Sequence, residues 1–204
     1  MTELRSYLFN IEPEGINTSY IESSTSYLNR LANKHTVFVG SIVKNILTKE
    51  MDKDYLRNIA IRGGDGFYKS SNALNGVGLM AKDFVDVLQR LTTRNDLQRT
   101  TLLSFSEVLP TRGLLRTKKA WCPECFEEMK PKELYEPLLW TFKVVEVCPR
   151  HNTKLKEECP FCNVKLFYLD RTSNPGYCSK CQNWLGENKE NRILEEVQVS
   201  GSLE

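Results

Sequence analysis

No cysteine occurs in the first 121 residues, and only two histidines, His35 and His151, occur in the whole 204-residue chain. The first absence splits the composition, because all seven cysteines lie between positions 122 and 181. The second leaves little for general acid–base chemistry. No apolar run approaches the roughly 18 residues of a membrane span. The opening Met-Thr-Glu-Leu-Arg-Ser-Tyr-Leu-Phe-Asn is too short and too charged to read as a signal peptide, so the expected compartment is the cytoplasm, where thiols stay reduced. No charge of one sign dominates: the net charge is +2, and any case for nucleic acid rests on local clusters. Apolar residues make up 40% and charged residues 26%, which suits a soluble globular protein.

Catalytic signatures are missing too. There is no H-E-x-x-H, no H-x-E ahead of P-C-x-x-C, and no G-x4-G-K-[ST]. Gly63, Gly64, Gly66, Gly76 and Gly78 crowd residues 62–78 without a phosphate-loop pattern, and read as a mobile loop. His35 lies near an expected helix end and reads as a capping or surface residue. An enzyme is not expected.

What is present is four pairs of one form: Cys122-x2-Cys125, Cys148-x2-His151, Cys159-x2-Cys162 and Cys178-x2-Cys181, separated by 22, 7 and 15 residues. Each pair suits a tight knuckle that points two donors at one ion, as in zinc ribbons and treble clefs. An odd cysteine count fits disulfides poorly, but seven thiolates and one imidazole fill two four-donor sites. Chain order suggests Cys122, Cys125, Cys148 and His151 around one Zn2+ and Cys159, Cys162, Cys178 and Cys181 around a second, with an interleaved pairing as the alternative. Pro123, Pro149 and Pro160 each follow a donor, and Gly176 precedes Cys178, which favours tight turns. An iron–sulfur cluster prefers four thiolates, which only the second set offers. Four protein donors leave no open position, so both ions are expected to be structural. Residues 122–185 carry few large aliphatic side chains, and structural zinc contributes on the order of 10 kcal/mol to such modules.

The first 121 residues read as helical. Ser19-x-x-Glu22 forms a capping box ahead of Tyr20, Ile21, Tyr27, Leu28 and Leu31, predicting a helix over about 19–33. Thr36 is placed to cap a second helix carrying Val39, Ile42, Val43, Ile46 and Leu47, and a short third helix is expected over 52–60. Two helices joined around Asn33–Thr36 resemble a helix-turn-helix unit. Phe84, Val85, Val87, Leu88 and Leu91 predict a helix over 82–92, and Asn95 the start of another reaching Leu103. Arg99, Arg112, Arg116, Lys118 and Lys119 then face a single acid, Glu107. This basic stretch suits phosphate contacts, an acidic partner or a solvated linker. Its last four cations are the candidate contacts.

Leu114-Leu115-Arg116, Trp121-Cys122-Pro123-x-Cys125, Pro137-Leu138-Leu139-Trp140, Val147-Cys148-Pro149-x-His151, Leu155 and Cys159-Pro160-x-Cys162 together resemble the TniQ family of transposition proteins. Ser26-Tyr27-Leu28-Asn29-Arg30-Leu31-Ala32 is similar to that family's first helix. Glu14-Gly15-Ile16-Asn17-Thr18 departs from the Gly-Glu-Ser-Leu frequent in the family. The resemblance implies a bacterial cytoplasmic adaptor without chemistry of its own. Such an adaptor links target DNA, read directly or through a CRISPR effector complex, to the AAA+ ATPase that recruits the transposase. The alternative is a stand-alone, zinc-containing, sequence-specific DNA-binding protein. Trp140 and Tyr135 are further candidate surfaces, Trp140 more readily as core of the metal modules.

The expected architecture is a mainly α, helix-turn-helix-like domain over 1–120, tandem zinc-ribbon or treble-clef-like modules over 121–187, and a tail or the start of a further segment over 188–204. The closing Gly201-Ser202-Leu203-Glu204 reads either as an appended scar or as the natural end of a short member.

Overall fold

The computed structural model describes residues 5–51, 65–110, 112–130 and 133–186. The helix expected at 52–60, residues 62–64 of the glycine-rich stretch and the 188–204 tail lie outside them. The described residues are mainly helical, with isolated β-bridges and no strand.

Helix α1 (Ser24–Lys34) is the central element, and residues Ser24–Ala32 are all buried. It starts later than the Ser19–Glu22 pattern predicts. The cap is Ser23, whose Oγ accepts from the Ser26 amide. Glu22 does not cap. It is fully buried and accepts instead from the Ser26 hydroxyl, from Arg30 and from the Glu14 amide. A second early amide of the helix, that of Thr25, donates to Asn75 Oδ1 at 3.0 Å. Tyr27, Leu28, Leu31 and Ala32 supply the apolar side of α1. Asn29 and Arg30 are as deeply buried, and bond to Ser173 and to Glu14, Glu22 and Glu133.

Thr36 does not open the second helix. It stands just past the end of α1 at φ 55°, where its amide bonds to Asn33 O and that of Val37 reaches Ala32 O, a Schellman-type stop. Helix α2 (Val39–Ile42) then begins behind Phe38, with no side-chain cap, and runs through a π-helical turn (Val43–Leu47) into α3 (Thr48–Glu50).

Part of the expected glycine-rich loop is helical and packed: α4 (Asp65–Lys69) and a 3-10 turn (Ser71–Asn75) bury Phe67 and Leu74. Phe67 stacks on Phe84 with centroids 5.6 Å apart. Those aromatics outweigh the permissiveness of the glycines around them. Helix α5 (Leu79–Thr92) forms where its stripe predicts and buries Phe84, Val85, Val87, Leu88 and Leu91. The helix expected from Asn95 is instead two 3-10 turns, Leu97–Thr100 and Leu103–Phe105. Thr100 and Thr101 turn their hydroxyls onto the Leu97 and Gln98 carbonyls, a local alternative to helical bonding.

Two apolar clusters result. One gathers side chains from Leu8 to Leu97 together with Leu169, and the other spans Ala120 to Leu185 and includes five of the cysteines. They are joined at several places. Leu138 N bonds to Ile21 O at 2.7 Å and Ser23 N to Glu136 O at 2.9 Å. Leu169 N bonds to Ser71 Oγ and Asn174 Oδ1 accepts from Asn33. The cysteine-rich half therefore leans on α1 along two segments, 136–138 and 169–174.

Candidate metal centres

Three of the four knuckles share one backbone design. At Cys148, Cys159 and Cys178 the first donor's amide bonds to the carbonyl five residues on, Thr153, Val164 and Asn183. Its carbonyl accepts from the amide four residues on, that of Asn152, Asn163 and Gln182, at 2.8–2.9 Å. Those three residues sit just after the second donor at φ 54°, 56° and 60°. Asparagine tolerates this left-handed region better than most residues. The fourth knuckle differs: Cys122 precedes α6 (Pro123–Met129), so Cys125 lies in the first turn of a helix opened by proline.

The structure brings the candidate donors together in two groups, Cys122 with Cys125, Cys148 and His151, and Cys159 with Cys162, Cys178 and Cys181. Within each group the donor atoms all lie within 4.8 Å of one another, so the side chains gather in chain order. A metal–sulfur bond of about 2.3 Å in a tetrahedron separates sulfurs by about 3.8 Å, and sulfur from nitrogen by about 3.5 Å. The observed separations are close to both. Cys125 and Cys148 sulfurs lie 3.6 Å apart, and His151 Nδ1 is 3.3–3.6 Å from the three sulfurs. In the second group Cys159–Cys181 and Cys162–Cys178 are 3.6 and 3.7 Å apart. Both clusters fit one tetrahedral ion with four protein donors, and both could hold a metal.

Surrounding groups orient the donors. His151 Nε2 is 2.9 Å from Glu128 Oε1 on α6, which leaves Nδ1 to face the sulfurs. A carboxylate behind a ligating imidazole fixes its tautomer and ring plane. Thr153 Oγ1 lies 3.7 Å from Cys122 Sγ, and the Lys180 and Cys181 amides approach Cys178 Sγ at 3.4 and 3.5 Å. Glu128, Thr153, Asn152, Asn163 and Gln182 are not among the expected donors or contacts. The visible signal for the last three is a residue suited to left-handed backbone, or able to reach it, after each second donor. Glu128 carries a signal only once α6 is known, because it sits one turn beyond Cys125. The two centres are tied by Trp121, whose Nε1 donates to Leu185 O at 3.1 Å. Gly176, at φ 79°, admits Trp184 so closely that a Cβ there would lie 2.5 Å from the indole.

The basic stretch is a paired segment rather than a linker. Leu115 bridges to Phe142, and Arg116 N and Lys143 N bond across to Thr141 O and Leu114 O. Arg116 donates to the Phe142 and Val145 carbonyls and pairs with Glu157. Lys119 is buried, with its ammonium 2.6 Å from Glu136. Lys118 lies over the Phe167 ring at 3.1 Å. Burial, then Lys180 and Lys69 nearby, pulls its pKa below the usual lysine range. Arg112 is exposed, and with Lys143 it edges a groove of about 270 Å³ walled by Val77, Met80, Leu102, Leu114 and Leu115. Leu79 and Val144, next in sequence to groove residues, are exposed. Arg99 bonds to Asn17. Trp140 is core, edge-on to Phe126 at 5.3 Å, and Tyr135 packs partly buried against the same cluster.

The TniQ family model matches residues 15–155, more than half of the chain. The chain belongs to the TniQ family. The TniQ match takes in all four donors of the first centre and stops short of the second. TniQ proteins are transposition-associated adaptors without catalysis of their own. No curated protein matches the chain. Among the described residues no helix is long and apolar enough to cross a membrane.

Proposed function

We propose that this TniQ protein is a zinc-held scaffold for target selection in transposition. On this reading it links target DNA, recognised directly or through a CRISPR effector complex, to an AAA+ ATPase that recruits the transposase. The observation that carries the scaffold reading is the pair of four-donor clusters. A zinc ion with four protein ligands has no position left for a water or substrate, so its work is to fold the chain. Cys122, Cys125, Cys148 and His151 hold the first Zn2+, and Cys159, Cys162, Cys178 and Cys181 the second. The modules they close make up residues 121–187, against a helical domain over 1–120.

The partner face is the groove edged by Arg112 and Lys143. It combines apolar walls, exposed apolar neighbours and two cations with no acid among its lining residues, which suits an acidic protein segment. Lys118 stands beside it, whereas Arg116 and Lys119 serve the fold. The test is co-purification of the metal-replete chain with the AAA+ ATPase encoded in the same element. Arg112→Glu with Lys118→Glu should weaken the complex while metal content stays at two equivalents. A chain that forms no complex, or that binds well under two zinc equivalents, ends this reading.

A stand-alone sequence-specific DNA binder is the second reading. Lys44, Asn45 and Lys49 are exposed on the helical segment that follows α1, where a helix-turn-helix unit places its reading face. That reading requires tight, sequence-dependent binding to a short duplex at physiological salt with no ATPase present, and loss of it in Lys44→Glu with Lys49→Glu.

A further inference from the structure

The first metal centre has a neighbour from outside the cysteine-rich half. Tyr20 lies just ahead of α1, and the Arg150 guanidinium covers its ring at 3.7 Å. Arg150 belongs to the Cys148–His151 knuckle, so the phenol sits beneath that turn. Tyr20 is 7% exposed, and its hydroxyl is buried without a hydrogen-bond partner. Burial, and after it the nearby Cys148, raises the pKa of this phenol. An orphaned buried hydroxyl calls for an explanation, and a sulfur that binds metal as thiolate is an acceptor. Cys122 already has Thr153 and His151 already has Glu128, while among the described residues Cys148 has no comparable hydroxyl or carboxylate beside it from its own module.

We propose that the Tyr20 hydroxyl donates to the Cys148 thiolate of the loaded centre and is a positioning residue for it, tying the chain ahead of α1 to the first ion. This rests on the reading that the first centre holds zinc. Groups that bond to metal ligands typically change metal affinity about 10–100-fold. The plain alternative is that Tyr20 is only an aromatic shelf for Arg150, a role phenylalanine fills equally well.

The experiment uses the full chain loaded with zinc or cobalt. Tyr20→Phe keeps the shelf and removes the hydroxyl, and Tyr20→Leu removes both. Tyr20→Phe is expected to release one of the two metal equivalents to a chromogenic chelator about 10–100-fold faster, leave the other unchanged, and shift the cobalt–thiolate charge-transfer band. Release and spectrum like the wild type in Tyr20→Phe, with only Tyr20→Leu altered, overturn the proposal in favour of the shelf. Should either variant fold poorly, the wild-type protein loaded with NMR-active cadmium decides. A slowly exchanging Tyr20 hydroxyl proton coupled to the metal through sulfur supports the bond, and a hydroxyl in free exchange with water overturns it. A wild-type chain that retains metal only at the second centre sinks the zinc reading itself, and this proposal with it.

Discussion

Thr36 pays a conformational cost that its position explains. It ends α1 at φ 55°, a region where a β-branched residue is strained and glycine is the usual choice. Its side chain is exposed and reaches only the His35 carbonyl. Thr36→Gly should therefore raise stability by about 0.5–1 kcal/mol, visible as a higher urea midpoint with an unchanged slope. A lower midpoint would show that the hydroxyl contact outweighs the strain. Glu22 carries the opposite kind of tension. Burial pushes its carboxyl up to about 7, with Arg30 the largest opposing influence. Glu14 and Glu133 compete for the same guanidinium, so three carboxylates share one cation. Below about pH 4.3, where an unfolded glutamate ionises, both states hold the proton and the contribution is fully present. As pH rises from there to about 7, the unfolded chain releases its proton while the folded chain keeps it, so stability falls. Glu22→Gln removes this slope. Relative to the wild type, the metal-replete variant should gain between pH 5 and pH 8 in urea unfolding, and a constant difference across that range would refute the assignment.

At the scale of elements, α1 shows what a local pattern can and cannot reveal. Helix α5 is legible from Phe84, Val85, Val87, Leu88 and Leu91 because its stripe faces one core. The body of α1 is legible from Tyr27, Leu28 and Leu31, yet its start is not. Glu22 looks like a capping partner for Ser19, but its actual partners, Arg30 and Ser26, are specified by burial. The polar residues of α1 likewise answer to distant segments: Thr25 to Asn75, Ser26 to Glu136, Asn29 to Ser173. No spacing rule connects positions so far apart. The donor pairs were legible in full because the knuckle spacing is local, whereas Glu128 and Tyr20 reach them only through the fold. Asn75 offers the cleanest test of this long-range stitching. It meets Thr25 twice, accepting from the amide at 3.0 Å and donating to Oγ1 at 3.1 Å, and it is fully buried. Asn75→Ala leaves a helix-start amide unpaired, which costs about 1–3 kcal/mol. Metal content should be unaffected, so a variant that loses zinc before it loses helicity would place Asn75 in the wrong structure.

For the whole molecule, the two centres differ in how well the protein covers them. All three sulfurs of the first come from cysteines that are 0% exposed, and Tyr20, ahead of α1, packs under Arg150 of its knuckle. The second lies nearer solvent, with Cys162 and Cys181 only half-buried. A chelator removes a metal fastest where a donor can swing out into water, so the second ion should leave first. Release from the zinc-loaded chain is therefore expected in two phases of one equivalent each. Because Trp121 Nε1 is held by Leu185 O, just beyond the second centre, the first phase should already change the tryptophan emission. The first centre should then hold its ion until the α1 contacts at Ile21–Leu138 and Ser23–Glu136 loosen, so mild urea should accelerate the slow phase more than the fast one. Cys181→Ser isolates the argument: it should retain one equivalent, lose the fast phase and keep the helical far-ultraviolet signal of the N-terminal half. If Cys181→Ser instead loses both ions together, the two clusters fold as one cooperative unit, and the difference in cover between them has no consequence for metal release.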